Sequence, residues 1–168
     1  MMFNATNPRE HVLRFLLELR IPWKEIRHPP VPTAPDAARY WEGHDCTFCK
    51  NLFFRDHRGK QHFLALVEHT RALNIHDLEQ RLKRGKMTLA SGWRLEKYLG
   101  VQPGSVSPFG LINDTENHVI LLIDKSLQEA HCLGFHPNDN TSTLMISGPD
   151  FHRFLVACGN PWEFLELS

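Results

Sequence analysis

The stretch TFCKNLFFRDHRGKQHFLALVEH, residues 47–69, decides the fold. It contains two runs rich in aromatic and aliphatic residues, and the short connection HRGK between them includes Gly59. Such runs are typical of strands, and a short glycine-containing connection is typical of a hairpin. Both faces of the first run are largely apolar, which indicates a strand in the interior of a sheet. We therefore predict a central antiparallel pair to which the other elements are added.

Helices and further strands are predicted on both sides of this pair, with capping residues at several helix starts and glycines at several helix ends. The run HVILLID, residues 118–124, is almost entirely apolar, as expected for a strand buried on both faces. Because 168 residues suit one domain of roughly 150 residues, we predict a single domain, 1–168, with a mixed α/β fold: one mixed sheet with flanking helices. The other predicted strands are 23–30, 87–90, 129–135 and 142–147, and the predicted helices are 7–20, 33–41, 75–85, 91–100 and 148–159.

Composition argues against some classes of protein. The 19 basic and 19 acidic residues balance, whereas proteins that coat nucleic acid nonspecifically are usually strongly basic. No apolar run approaches the ~20 residues that cross a membrane, so no membrane partner is expected. Residues 1–10, MMFNATNPRE, lack the basic start and apolar centre of a signal peptide. We therefore expect a cytoplasmic protein whose four cysteines are reduced thiols.

Positive charge is concentrated in one short segment, which we call the basic segment, residues 81–97. Glu96 is its only acidic residue. Such a segment is most often the solvated exterior of helices, and the alternative is a contact surface for an RNA backbone. The sequence leaves both interpretations open. Its basic residues are Arg81, Lys83, Arg84, Lys86, Arg94 and Lys97.

Cys46 and Cys49 form a CxxC pair directly before Lys50. A structural zinc site needs four ligands, and no second CxxC occurs in the chain. A thioredoxin-type motif belongs at the start of a helix, whereas this pair enters a strand. We therefore expect no metal and no catalytic thiol at this pair. Residues that would have to complete a zinc site are His44, His131, Cys132 and His136.

Lys50 raises a separate question, because lysine is almost never buried without a partner. It either enters a cleft and meets an anion, or extends along the strand to water. Side chains alternate along a strand, so Lys50 and Asn51 should lie on opposite faces. A regular strand therefore predicts that the two cannot line one pocket.

Two loops carry further candidate groups. Residues 104–110, GSVSPFG, combine glycine, which permits a close approach of backbone and ligand, with amides that can bind anions. Residues 134–143, GFHPNDNTST, place His136 between a strand end and a polar turn, where it acts in proton transfer or caps the turn. Each loop is equally compatible with a plain connection.

Three motifs, CKNLFFRDHRGK, PGSVSPFGLIND and GFHPNDNTSTLMIS, together resemble the YbaK/prolyl-tRNA-synthetase-associated family, and most closely its free-standing Ala-tRNA(Pro) deacylases. The resemblance covers most of the chain from about Val12 to the last helix. It implies catalytic roles for Lys50 and His136, and we add Gly134, whose neighbouring amides are expected to face the ester carbonyl. It further implies that the substrate is bound by Asn51, the chain neighbour of Lys50, and by the loop that contains the GxxxP motif. The loop residues are Gly104, Ser107, Pro108, Phe109 and Gly110. Because the motif KNLF fits the family without the paired thiols, Cys46 and Cys49 are interpreted as packing or incidental residues.

The same resemblance implies a hydrolase that removes alanine from mischarged tRNA(Pro) in trans and spares proline by the size of its pocket. It implies no cofactor, tRNA as partner, and prolyl-tRNA synthetase as a further candidate partner. Two alternatives remain: the same hydrolase acting on seryl-, threonyl- or cysteinyl-tRNA, or a module that binds tRNA or a synthetase without catalysis.

Overall fold

Eight strands and five α-helices are formed by residues 7–168, the part of the chain that this computed structural model describes. Residues 1–6, on which part of the signal-peptide prediction rests, lie outside the described residues. Two 3₁₀ helices, Pro108–Asn113 and Lys125–Leu127, complete the connections. The helices are α1 Pro8–Glu18, α2 Ala34–Trp41, α3 Ile75–Leu82, α4 Gly92–Leu99 and α5 Gly148–Cys158. The strands are β1 Lys24–Arg27, β2 Thr47–Arg55, β3 His62–Glu68, β4 Thr88–Leu89, β5 Ile120–Asp124, β6 Cys132–Phe135, β7 Ser142–Ser147 and β8 Trp162–Leu165.

The strands form one mixed sheet in the order β1-β7-β6-β2-β3-β5-β8, with β4 paired to β2. The predicted hairpin is the antiparallel pair β2–β3 near its centre. Strand β5 lies between parallel partners β3 and β8, which explains its apolar sequence. The predicted mixed α/β fold is confirmed, while β8 was not predicted because its four residues show no clear alternation.

Both faces of the central strands are buried. Along β3, Leu64 and Leu66 belong to the main core, together with residues of α1, α4 and α5. The alternate residues Phe63, Ala65 and Val67 belong to a second core together with α3. Helices on both faces therefore shield the hairpin, and its edges rather than its faces remain available for a site.

Local capping follows the sequence closely. Asn7 accepts a hydrogen bond from the amide of Arg9 at 2.9 Å, and Thr33 caps α2 in the same manner. One helix end differs from the prediction: α3 stops at Leu82, because Lys83 adopts the left-handed conformation at φ 53° before Gly85 is reached. The 3₁₀ helix Pro108–Asn113 takes in residues 108–110, for which a loop was predicted.

Cys46 and Cys132 form a disulfide across the start of the neighbouring strands β2 and β6. They are 86 residues apart in the chain, and the parallel pairing of Thr47 with Leu133 brings them side by side. The prediction of four reduced thiols is wrong for this pair. Cys46 is therefore not merely a packing or incidental residue, and neither Cys46 nor Cys132 is available as a zinc ligand.

The other two cysteines, Cys49 and Cys158, are free thiols. Burial raises the pKa of Cys158 to about 12, with the charge of Asp114 as a second cause. Burial also raises the pKa of Cys49 far above its ordinary range. Both thiols are therefore neutral and unreactive at physiological pH.

Candidate active site

A split in the sheet creates the candidate site. Strand β2 pairs with β6 only at Thr47 and Phe48, and with β4 only at Phe54 and Arg55. Between these two pairings, the outer edge of β2 diverges from β6. A cavity of about 300 Å³ lies along this open edge. It is lined by residues 49–52 of β2, residues 32–35 before and at the start of α2, and Trp41, Gly104, Val106 and His136.

Lys50 and Asn51 both line this cavity. The prediction that they cannot share one pocket is therefore wrong. The alternation of side chains separates the two faces of a sheet, but this cavity lies at the strand's edge, where neighbouring residues from both faces meet it. Lys50 is half-buried, and among residues 7–168 no carboxylate lies within 4.0 Å of its ammonium group. Its charge is thus available to an anionic ligand.

Asn51 connects the strand to the loop that closes the cavity. Its Nδ2 donates a hydrogen bond of 3.1 Å to the carbonyl of Val106, while its Oδ1 is buried without a partner among the described residues. The carbonyl of Phe48 accepts from His69 on the β3 side, and that of Phe53 accepts from Ala90 on the β4 side. Because main-chain groups alternate in direction along a strand, the amide N–H of Asn51 points into the split.

His136 is held in one tautomer. Its Nδ1 lies 2.8 Å from the carbonyl of Ser142, which can only accept, so Nδ1 carries the proton and Nε2 remains an acceptor. Burial lowers the pKa of His136, and nearby His28 lowers it further, although the bond to Ser142 acts in the opposite direction. The ring is therefore neutral at pH 7 and presents an unprotonated nitrogen.

A buried hydrogen-bond chain fixes one wall of the cavity, the indole of Trp41. The Nε1–H of Trp41 donates to Thr143 Oγ1 at 3.0 Å, and that hydroxyl in turn donates to His28 Nε2 at 3.0 Å. The Nδ1–H of His28 donates to the carbonyl of Pro29 at 3.0 Å. Trp41 also stacks on Phe48, with ring centroids 4.8 Å apart. Sequence reasoning missed Trp41 and Thr143, since no local pattern relates residues 102 positions apart.

Of the predicted residues in the loop 104–110, only Gly104 lines the cavity, and the other four lie behind its wall. Gly104 lines the cavity with φ 89°, a backbone conformation that favours glycine. Ser107 is buried and caps the 3₁₀ helix by accepting from the amide of Phe109 at 3.1 Å. Pro108 begins that helix, Phe109 belongs to the main core, and Gly110 packs against Leu99. These four residues support the loop from behind instead of lining the cavity.

Gly134 lies within β6, opposite Phe48 of β2 and Met145 of β7. A Cβ atom at this position would lie 2.3 Å from the ring of Phe48. The absence of a side chain at Gly134 thus permits Phe48 to stack on Trp41. The structure therefore brings together Lys50, Asn51, Gly104 and His136, and places Gly134 beside this group in a supporting position.

A larger hollow of about 690 Å³ lies between α5 and β8. It contains none of the predicted site residues, and its walls carry no lysine or arginine. We therefore place the site at the split in the sheet. Across residues 7–168, no group of three or more metal-ligating side chains is found, and no helix is long and apolar enough to cross a membrane.

The fold of this chain is similar to that of a protein of known crystal structure, which is provisionally described as a trans-editing enzyme for prolyl-tRNA synthetase. The TM-score is 0.69 with 20% sequence identity, and the alignment covers 96% of this chain and 98% of that chain. At this identity the likeness establishes the class of fold alone, a mixed sheet with flanking helices.

The sequence comparisons identify the family. Residues 28–154 match the aminoacyl-tRNA editing domain, so the chain belongs to the aminoacyl-tRNA editing domain family. It is 35% identical to the prolyl-tRNA editing protein ProX of Acetoanaerobium sticklandii, over 95% of this chain and 97% of that protein. It is 33% identical to prolyl-tRNA synthetase associated domain-containing protein 1 of Danio rerio, over 88% of this chain and 80% of that protein.

These matches confirm the family resemblance that the three motifs indicated. They also confirm the predicted class of enzyme, an aminoacyl-tRNA deacylase, with tRNA as its partner.

Proposed function

We propose that the protein hydrolyses, in trans, the ester that joins alanine to the 3′ end of mischarged tRNA(Pro), and that it spares prolyl-tRNA(Pro). The observation that carries this proposal is the small edge cavity in which Lys50, Asn51, Gly104 and His136 meet. The similarity to a relative named for prolyl-tRNA editing supports the choice of tRNA(Pro).

Size is the basis of the proposed selectivity. A synthetase pocket large enough for proline cannot strongly reject alanine, because missing methylene groups change binding by only ~1–3 kcal/mol. A second pocket that admits alanine and excludes proline corrects this error. The cavity of about 300 Å³ lies at the lower end of small-molecule sites, and Trp41, Pro32 and Pro35 give it stiff walls. It would hold the alanyl ester and part of the terminal ribose.

Lys50 supplies positive charge to the substrate. Its ammonium group has no carboxylate partner among the described residues, so it can hold the terminal phosphate or the ester region. This contact orients the ester without taking part in bond breaking.

Bond breaking requires a water molecule and stabilisation of the oxyanion. Water attacks the ester carbonyl, the bond between the carbonyl carbon and the ribose oxygen breaks, and that oxygen takes up a proton, releasing alanine and tRNA. We assign oxyanion stabilisation to the inward-pointing amide of Asn51, because the main chain of Gly134 already pairs within the sheet. Nε2 of His136 accepts a hydrogen bond from the water or from the substrate's amino group. The neighbouring ribose hydroxyl assists the water, and the reaction requires no cofactor.

The direct test uses tRNA(Pro) charged with labelled alanine or with labelled proline. Wild type should release alanine and leave proline bound. Lys50→Ala should lower the rate of alanine release at least about tenfold, since a charged hydrogen bond contributes roughly 1.5–3 kcal/mol. Lys50→Arg is the matched control, because it retains charge and should retain part of the activity. Preferential release of proline, or full activity of Lys50→Ala, would refute the assignment.

A panel of seryl-, threonyl- and cysteinyl-tRNA separates the main proposal from a hydrolase of other specificity. Binding of tRNA without release of any amino acid would favour the non-catalytic module. The Danio rerio relative's name mentions association with prolyl-tRNA synthetase, which makes that synthetase a candidate partner here. Aminoacyl-tRNA is used in the cytoplasm, so we place the protein there.

A further inference from the structure

An exposed tryptophan with no role in the proposed reaction lies on α4, whose first residue packs near the loop that leads to Gly104. The side chain of Trp93, in the first turn of α4, is 57% exposed. The guanidinium group of Arg94 lies over one face of its ring, 4.4 Å from the centroid. Arg94 is itself held by bonds to the carbonyl of Gly59 at 3.0 Å and to His62 at 2.8 Å. The indole therefore rests on a fixed cationic support while much of its surface faces solvent.

Two chain neighbours of Trp93, Ala90 and Gly92, connect its segment to the rim of the cavity. The amide of Ala90 donates to the carbonyl of Phe53 at 2.8 Å, directly beyond the cavity residue Leu52. The Cα of Gly92 lies close to the ring of Pro103, since a Cβ there would be 3.7 Å from it. Pro103 immediately precedes Gly104, which lines the cavity. The start of α4 thus borders the site.

The surroundings of Trp93 are positively charged. Of the basic segment, Arg81 is paired with Asp77 at 2.9 Å, and the remaining five basic residues have no carboxylate within 4.0 Å among residues 7–168. Lys83, Arg84, Lys86 and Lys97 are exposed. An exposed aromatic ring within a cationic surface matches the chemistry of single-stranded nucleic acid, whose bases stack on aromatic rings while basic groups contact the phosphates.

From these observations we infer that Trp93 is a stacking platform for the unpaired nucleotides that precede the esterified terminal nucleoside of the RNA. Lys97 and Lys86 contact the accompanying phosphates. The inference rests on the proposed function for the identity of the RNA end. It assigns Trp93 a role in binding the substrate and none in the chemical step.

The kinetic test compares two substrates. With alanyl-tRNA(Pro), Trp93→Ala should raise the half-saturating concentration about 5- to 160-fold, the range expected for loss of one base–aromatic stack, and leave the rate at saturation unchanged. Trp93→Phe should restore most of the affinity. With alanyl-adenosine, which has no preceding nucleotides, Trp93→Ala should match wild type. Val156→Ala, at a position on α5 that is 63% exposed, is the control and should match wild type on both substrates.

Equal defects of Trp93→Ala on both substrates, or no defect on tRNA, would overturn the inference. A separate binding experiment distinguishes its failure from failure of the proposed function. The trinucleotide CCA, without an amino acid, should quench tryptophan fluorescence of the wild type and quench it far less in Trp93→Phe. Quenching that is the same in both proteins refutes the platform even if alanine is released. A quenching difference without any deacylation supports the platform and refutes only the proposed reaction.

Discussion

Replacing Thr143 by valine tests the chain that holds the cavity wall. Valine has nearly the same shape as threonine, so the substitution removes the hydroxyl without opening a cavity. It leaves the Nε1–H of Trp41 and the Nε2 of His28 without their partner, and these residues are only 5% and 7% exposed. A buried polar group that loses its partner costs about 1–3 kcal/mol. We therefore expect a loss of about 2–5 kcal/mol in the free energy of unfolding.

Urea unfolding at pH 7.5 measures this loss, and thermal unfolding should show Tm lower by roughly 4–20 °C, because 1 kcal/mol corresponds to about 2–4 °C in a domain of this size. Thr143→Ser is the matched control. It retains the hydroxyl and removes one methyl group, which should cost only about 1 kcal/mol. Stability of Thr143→Val equal to or above that of Thr143→Ser would refute the hydrogen-bond chain. If the wall also sets selectivity, Thr143→Val should release proline faster than wild type does.

Two further predictions concern pH and the disulfide. Burial lowers the pKa of His62 to about 4, with His118 and Arg94 as further causes. As the pH falls, His62 is therefore protonated near pH 6.5 in the unfolded chain but only near pH 4 in the folded protein. The free energy of unfolding should therefore fall by up to about 3 kcal/mol between pH 6.5 and pH 4, and urea unfolding at several pH values measures this decrease. In His62→Gln the decrease over the same pH range should be smaller. An identical pH dependence in that variant would contradict the assignment. Cys132→Ser should lower the free energy of unfolding by about 2–4 kcal/mol, because the disulfide closes a long loop. The effect should vanish when both proteins are measured in reductant, and a difference that persists there would show another cause.

Local patterns along the chain were sufficient to predict most secondary structure. The hairpin of β2 and β3, the buried β5 and the caps of α1 and α2 depend on neighbouring residues, whose spacing and hydrogen-bonding groups are visible in the sequence. The errors fall where tertiary packing outweighs local preference. Strand β8 forms because β5 offers it a parallel edge, and α3 ends early at Lys83.

The sequence by itself determined the family, the mixed α/β fold and the candidates Lys50, Asn51, Gly104 and His136. Only the tertiary structure decided that these residues share one cavity, because the split between β2 and β6 depends on the order of strands that are distant in the chain. The same holds for the Trp41–Thr143–His28 chain and for the Cys46–Cys132 disulfide. Contacts between residues 86 to 115 positions apart leave no local period or spacing, since strand pairing alone brings such residues together.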